Sequence, residues 1–216
     1  MPSTIVHLAF AGMIAAALLG AAFDRRALLV VLALTALPDF DAFIALISTA
    51  GHRTALHTLV LPGLLGLAIL VDTRFRSRSW IRERYDDAGV RVGWVAVTCL
   101  AVAGIGLDLF SAGGANPLWP LIDQHYVIDG TLELSSQRGI VQTFVDLSTE
   151  SGVPAPATSL GNSSEVTITT GIDPGPSPED EPVDRVFPIV RAGWQLLILL
   201  VGTGVTTAAL YFDGDT

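Results

Sequence analysis

The chain has 216 residues; half are hydrophobic, only 15% are charged, and the mean hydropathy is +0.56. A soluble domain carries about 25% charged residues, so this composition excludes an ordinary soluble globule and points to an integral membrane protein. Twenty-one acids against twelve basic residues give a net charge of −9, which argues against nucleic acid as a partner.

Five apolar segments reach spanning length, for which roughly 17–25 residues are needed. They are 5–22, 27–48, 56–72, 92–110 and 189–211. The first lacks a basic leader and runs at once into Asp24-Arg25-Arg26 and a second span, so it reads as a span and not as a signal peptide. Its Gly12, Ala16 and Gly20 form a small-residue stripe that lets helices approach closely. The expected fold is therefore an all-α, polytopic membrane protein of about five transmembrane helices. Residues 1–112 would form a four-helix membrane domain, 113–188 an extracytoplasmic segment, and 189–212 the fifth helix.

Arginines in short loops set the orientation. Arg25 and Arg26 lie between the first two spans, and Arg74, Arg76, Arg78, Arg82, Arg84 and Arg91 between the third and fourth. These loops, 23–26 and 73–91, are then cytoplasmic in a multi-pass protein of the cell (plasma or inner) membrane. The N-terminus and 111–188 are outside. Within that outer segment, 126–148 alternates weakly and suits a short hairpin. Residues 149–184 are rich in Ser, Thr, Gly, Pro and acid, and read as a flexible acidic linker.

Ionisable groups inside spans cost roughly 2.5–3.5 kcal/mol each near the helix centre, so each needs a reason. The second span holds Pro38-Asp39-Phe40-Asp41, and the fourth holds Asp108. His7 opens the first span, and His52, Arg53 and His57 precede or begin the third. The arginine-derived orientation turns all of these, together with His125, toward the outer face. Imidazoles and carboxylates are the ligand set for Zn²⁺, with Mn²⁺ and Fe²⁺ also suited. Asp39 and Asp41 lie about 200° apart on an ideal helix and can share an ion only if Pro38 distorts it. A metal with an open position supplies hydroxide for hydrolysis, and an unligated aspartate could act as general base.

These motifs, with Leu107-Asp108-Leu109 and Asn116-Pro117-Leu118-Trp119-Pro120, resemble the YdjM/YbcI-like family over residues 1–125. The resemblance implies a membrane-bound, metal-dependent hydrolase distantly similar to zinc phospholipase C. It implies His7, Asp39, His52, His57 and Asp108 as metal positions, with Asp41 and Arg53 as further motif positions, here assigned to catalysis. It also implies an ester substrate, such as a phosphoester of a lipid from the surrounding bilayer. One departure stands out: the family commonly has a histidine four residues before the span-four aspartate, and here that position is Gly104. Either the site has one ligand fewer, or His125 substitutes, or the protein is a non-catalytic scaffold that binds a partner. A small ion transporter is a further reading of intramembrane carboxylates. Composition adds a hint about habitat. All twelve basic residues are arginine, and an acidic, lysine-free chain suits the concentrated salt of a halophilic archaeon, although a GC-rich genome also favours arginine.

Overall fold

The computed structural model of the chain describes residues 2–46, 52–146, 155–156, 158–175 and 181–213. Helix α1 is Thr4–Leu18 and α2 is Arg25–Ala36. A 3₁₀ turn, Leu37–Phe40, leads into the short α3, Asp41–Ile44. Helix α4 is Val60–Leu70 and widens to a π-turn at Val71–Phe75. Helix α5, Trp80–Cys99, continues through a π-stretch, Leu100–Gly106, into α6, Leu107–Leu109. The last helix, α7, is Gly193–Asp213.

Among the described residues three helical runs are long and apolar enough to cross a membrane: Arg25–Ile44, Trp80–Leu109 and Gly193–Phe212. The other two expected spans are shorter. Helix α1 has 15 residues and stops at Gly20, whose φ of 54° no continuing helix adopts. At ~1.5 Å per residue it falls short of a ~30 Å hydrocarbon core. Helix α4 has 11 residues because 56–59, expected to be helical, belong to a loop.

The chain is not all-α. Among the described residues between α6 and α7 lie three two-stranded antiparallel sheets. Strand β2 (Leu132–Ser135) pairs with β3 (Gly139–Gln142), the hairpin expected from alternation. Strand β1 (His125–Val127) pairs with β6 (Thr158–Gly161), and β4 (Val145–Asp146) with β5 (Ala155–Pro156). Both later pairings reach into the stretch expected to be linker. That expectation overlooked that backbone pairing needs no apolar content. Residues 147–154, 157 and 176–180 of the same region lie outside those described.

The core joins α1, α2 and α5 through Ala11, Ala15, Leu19, Leu28, Val31, Ala96 and Cys99. Local signals set the helix starts. Asp24 caps α2 by accepting from the Ala27 amide at 2.6 Å. Asp72, at the end of α4, accepts from the Ser79 hydroxyl (2.6 Å) and from the Trp80 and Ile81 amides (3.0 and 3.1 Å). An acid from one helix thereby satisfies the orphan donors that open the next. Arg91 of α5 donates to the Leu19 carbonyl at 3.2 Å, which ties the turn after α1 to the arginine-rich start of α5.

Helix α7 packs along α1, and its close approach depends on glycine. A Cβ at Gly202 would lie 2.3 Å from the Ala9 carbonyl oxygen, and one at Gly12 would lie 2.3 Å from the Thr206 hydroxyl. Gly12 thus does what the small-residue stripe implied, whereas Gly20 closes a helix end instead. At Gly204 nothing lies within 4 Å. Replacing Gly202 by leucine should lower the detergent melting point by the equivalent of about 1–3 kcal/mol, an overpacking cost. Gly204→Leu should lower it much less. Equal losses at both positions would show that α7 does not seat on α1 in this register.

Candidate metal centre

The sequence explains why polar side chains converge here. Pro38 cannot continue an α-helical ladder, and α2 gives way to the 3₁₀ turn at Leu37. The distortion does not bring the two aspartates to one point: they meet opposite sides of the His57 ring. Asp41 is fully buried and faces the 52–57 loop, while Asp39 is partly exposed and lines a cavity.

Asp41 uses both carboxylate oxygens. Its Oδ1 accepts from His52 Nδ1 at 2.6 Å. Its Oδ2 accepts from His57 Nδ1 at 2.8 Å and from the Arg53 amide at 3.0 Å. Asp41, His52 and His57 are all buried and bring one ligand atom each to within 4.8 Å of one another, a group that could hold a metal ion.

The far side of His57 meets two more acids. Its Nε2 lies 3.0 Å from Asp108 Oδ2 and 3.6 Å from Asp39 Oδ1. His7 approaches from α1, with Nε2 3.6 Å from Asp108 Oδ1. Neither Nε2 makes an aligned hydrogen bond, and Asp39 Oδ2 is likewise buried without a partner. The ring orientations have a chemical meaning. His7 Nδ1 sits 2.5 Å from the Ala103 carbonyl, which can only accept. His57 Nδ1 sits on the Asp41 carboxylate. Each imidazole therefore donates from Nδ1, and when neutral each presents a lone pair at Nε2. Those lone pairs face carboxylate oxygens, an arrangement that calls for a proton or a cation between them. Histidine Nδ1–H anchored on a carboxylate or carbonyl is also the usual support of a metal-ligating imidazole. The residues present fit a divalent cation.

Arg53 holds the other side. Its guanidinium bonds Asp108, the Ser111 hydroxyl (2.8 Å) and the Gly114 carbonyl (2.8 Å). The side chain is fully buried. Its backbone has φ 70°, a left-handed conformation uncommon outside glycine. Its amide on Asp41 and its carbonyl, which accepts from the Asn116 amide at 3.1 Å, hold that turn from both sides. The Asn116–Pro120 motif braces the same loop, since the Thr58 hydroxyl donates to Trp119 O at 2.6 Å and the Leu59 amide to Pro117 O at 2.8 Å.

Two expectations about individual positions change. His57 lies in the loop, three residues before α4, and not on its first turn. His125, on β1, is buried with Nε2 3.4 Å from the Thr54 hydroxyl. Burial pushes its pKa down, against the pull of Asp123. Among the described residues no hydrogen bond or ion pair joins it to Asp39 or Asp108, which argues against its replacing a ligand. At Gly104 a Cβ would come 2.8 Å from the Thr35 carbonyl oxygen. The end of α2 occupies the space that a histidine would need. Sequence reasoning did not identify Ser111 and Gly114 as partners of Arg53, and no pattern in the chain singles them out.

Fold and site together define a helical membrane protein with a buried His/Asp centre. The family model of the YdjM inner membrane proteins matches residues 1–166, and the chain belongs to that family. Neither the curated proteins nor the solved structures contain a match to it.

Removing the Arg53 guanidinium leaves Asp108 buried beside fewer donors. Breaking a buried pair in this way costs about 3–5 kcal/mol. Arg53→Met should therefore unfold well below the wild type in a detergent melting series, and Arg53→Lys should recover only part of the loss, because one ammonium cannot reach three acceptors in a fork. A wild-type melting point in Arg53→Met would show that the guanidinium does not hold Asp108.

Proposed function

We propose that the protein is a membrane-embedded, metal-dependent hydrolase of an ester or phosphoester, with its centre near the outer membrane face. One observation carries this reading: two buried imidazoles, each anchored through Nδ1, turn unpartnered Nε2 atoms toward the Asp108 carboxylate, with Asp39 alongside. His7, Asp39, His57 and Asp108 would hold the ion, a set suited to Zn²⁺ and compatible with Mn²⁺ or Fe²⁺. When bound, such a cation supplies a Lewis acid that polarises the ester and brings water toward a neutral pKa.

The chain's own residues then divide the remaining work. Asp41 orients His57 for ligation and holds His52 by the same carboxylate. This favours an orienting role for Asp41 over that of general base. His52 lines the cavity with Nδ1 fixed on Asp41, so its Nε2 is the atom placed to take up and return a proton. Arg53 fixes Asp108 and the 111–114 turn, which favours a positioning role over contact with substrate. The orientation rests on the arginines. Arg91, at the end of the second arginine-rich stretch, bonds the turn that precedes the first, which favours one end of the bundle for both. The positive-inside rule puts that end in the cytoplasm, with the N-terminus and 111–188 outside.

Elemental analysis of the detergent-purified protein should find about one transition-metal equivalent per chain. His57→Gln and Asp108→Asn should lose it. Asp41→Asn should bind roughly 10–100-fold more weakly, the usual cost of losing an orienting partner. His52→Gln should keep the metal while losing hydrolysis of a chromogenic ester. Metal-free wild type, or hydrolysis indifferent to a chelator, would rule the reading out.

A further inference from the structure

Beside the centre lies a cavity of about 700 Å³, within the range of small-molecule sites. Asp39, His52 and the start of α1 line its inner side. Its other side comes from residues 169–175 and 184–191, which lie beyond the family-matched stretch. These two segments are built into one wall. Arg185 donates to the Gly171 and Ile172 carbonyls at 3.2 and 3.0 Å. The Phe187 ring lies so close to Gly171 that a Cβ there would meet it at 2.6 Å. The Ser3 hydroxyl donates to the Ile189 carbonyl at 2.7 Å, which fastens the wall to the start of α1.

The wall has a distinct chemistry. Ile172, Val186, Phe187 and Ile189 make it apolar, and Arg191 is the one arginine lining the cavity among the described residues. The Arg191 guanidinium makes no ion pair or hydrogen bond among the described residues. Asp184 also lines the cavity, so the charge is mixed at the rim and not uniformly positive.

We propose that this wall selects the substrate of the site, and that Phe187 and Arg191 make it take an amphiphile whose anionic head adjoins an apolar chain. The proposal rests on the hydrolase reading for the identity of the site but not for binding. The head reaches the polar inner side past Arg191, and the first methylenes lie on the Phe187 face. Each buried methylene adds about 0.8 kcal/mol, or about four-fold in affinity. The cavity volume accommodates a head and a short length of chain, so a longer chain would extend beyond the wall. The same chemistry is offered by a membrane lipid and by a soluble alkyl phosphate, while free phosphate lacks the apolar part.

The test is calorimetric titration of the full-length protein, both chelator-treated and zinc-replete, with metal content measured on the same samples. The probes are hexyl phosphate, methyl phosphate, inorganic phosphate and hexylammonium. Hexyl phosphate should bind at least about ten-fold tighter than methyl or inorganic phosphate, and hexylammonium should be the weakest. Arg191→Gln should weaken hexyl phosphate about five-fold or more and erase the preference over hexylammonium. Phe187→Ala should remove most of the advantage of hexyl over methyl, and Asp184→Asn should not weaken binding. Melting points identify any variant that has lost its fold. Lipid as the source is read by adding nanodiscs with phosphatidylglycerol, which should compete with hexyl phosphate, whereas phosphatidylcholine nanodiscs should not. Competition by neither leaves a soluble amphiphile as the ligand. Equal binding of inorganic phosphate, or hexyl phosphate binding unchanged in both Arg191→Gln and Phe187→Ala, would overturn the proposal even if the metal is present. Absence of metal with hexyl phosphate still bound through Arg191 would overturn the hydrolase reading instead.

Discussion

The Asp41 carboxylate is the contact on which the site depends. It is buried at the break between α2 and α3, and its two oxygens collect His52, the Arg53 amide and His57. A charge in that position is costly unless it is fully bonded. Folding the 52–57 loop back over the end of α2 is what satisfies it. The loop then brings the Arg53 guanidinium to Asp108, and so connects the second apolar helix to the fourth. Asp41 and Asp108 are each matched by donors from another element.

That arrangement accounts for the odd helices. Helix α4 is short because the residues before it are used as a loop. The π-stretch at Leu100–Gly106 changes the helical phase just before Asp108, and such wide turns recur at functional sites. Gly104 lets the end of α2 approach that stretch. The departure from the family pattern is thus built into the packing, and His57 still faces Asp39 and Asp108, with His7 beside Asp108.

Much of the site was legible in the chain because buried charge is conspicuous in an apolar sequence. Asp39, Asp41, Asp108, His7, His52 and His57 stand out for that reason alone, and Pro38 correctly signalled a distorted helix. What could not be read was the division of labour. Two aspartates two residues apart look equivalent in sequence, yet one faces the loop and the other the cavity. Hydropathy also overstated the helices: it starts the third span at Leu56 although His57 and Thr58 interrupt the apolar run, and the hydrogen bonds of Thr58 and Leu59 to 117–119 hold these residues as loop. The pairing of β1 with β6, about thirty residues away, left no periodic trace.

In the proposed site His7 and His57, and not His52, face the ion. X-ray absorption spectroscopy on the zinc-loaded protein counts imidazole ligands directly. Two imidazoles with oxygen donors are expected, still two in His52→Gln and one in His7→Gln. Three imidazoles in the wild type, or a count that falls in His52→Gln and stays the same in His7→Gln, would contradict this account.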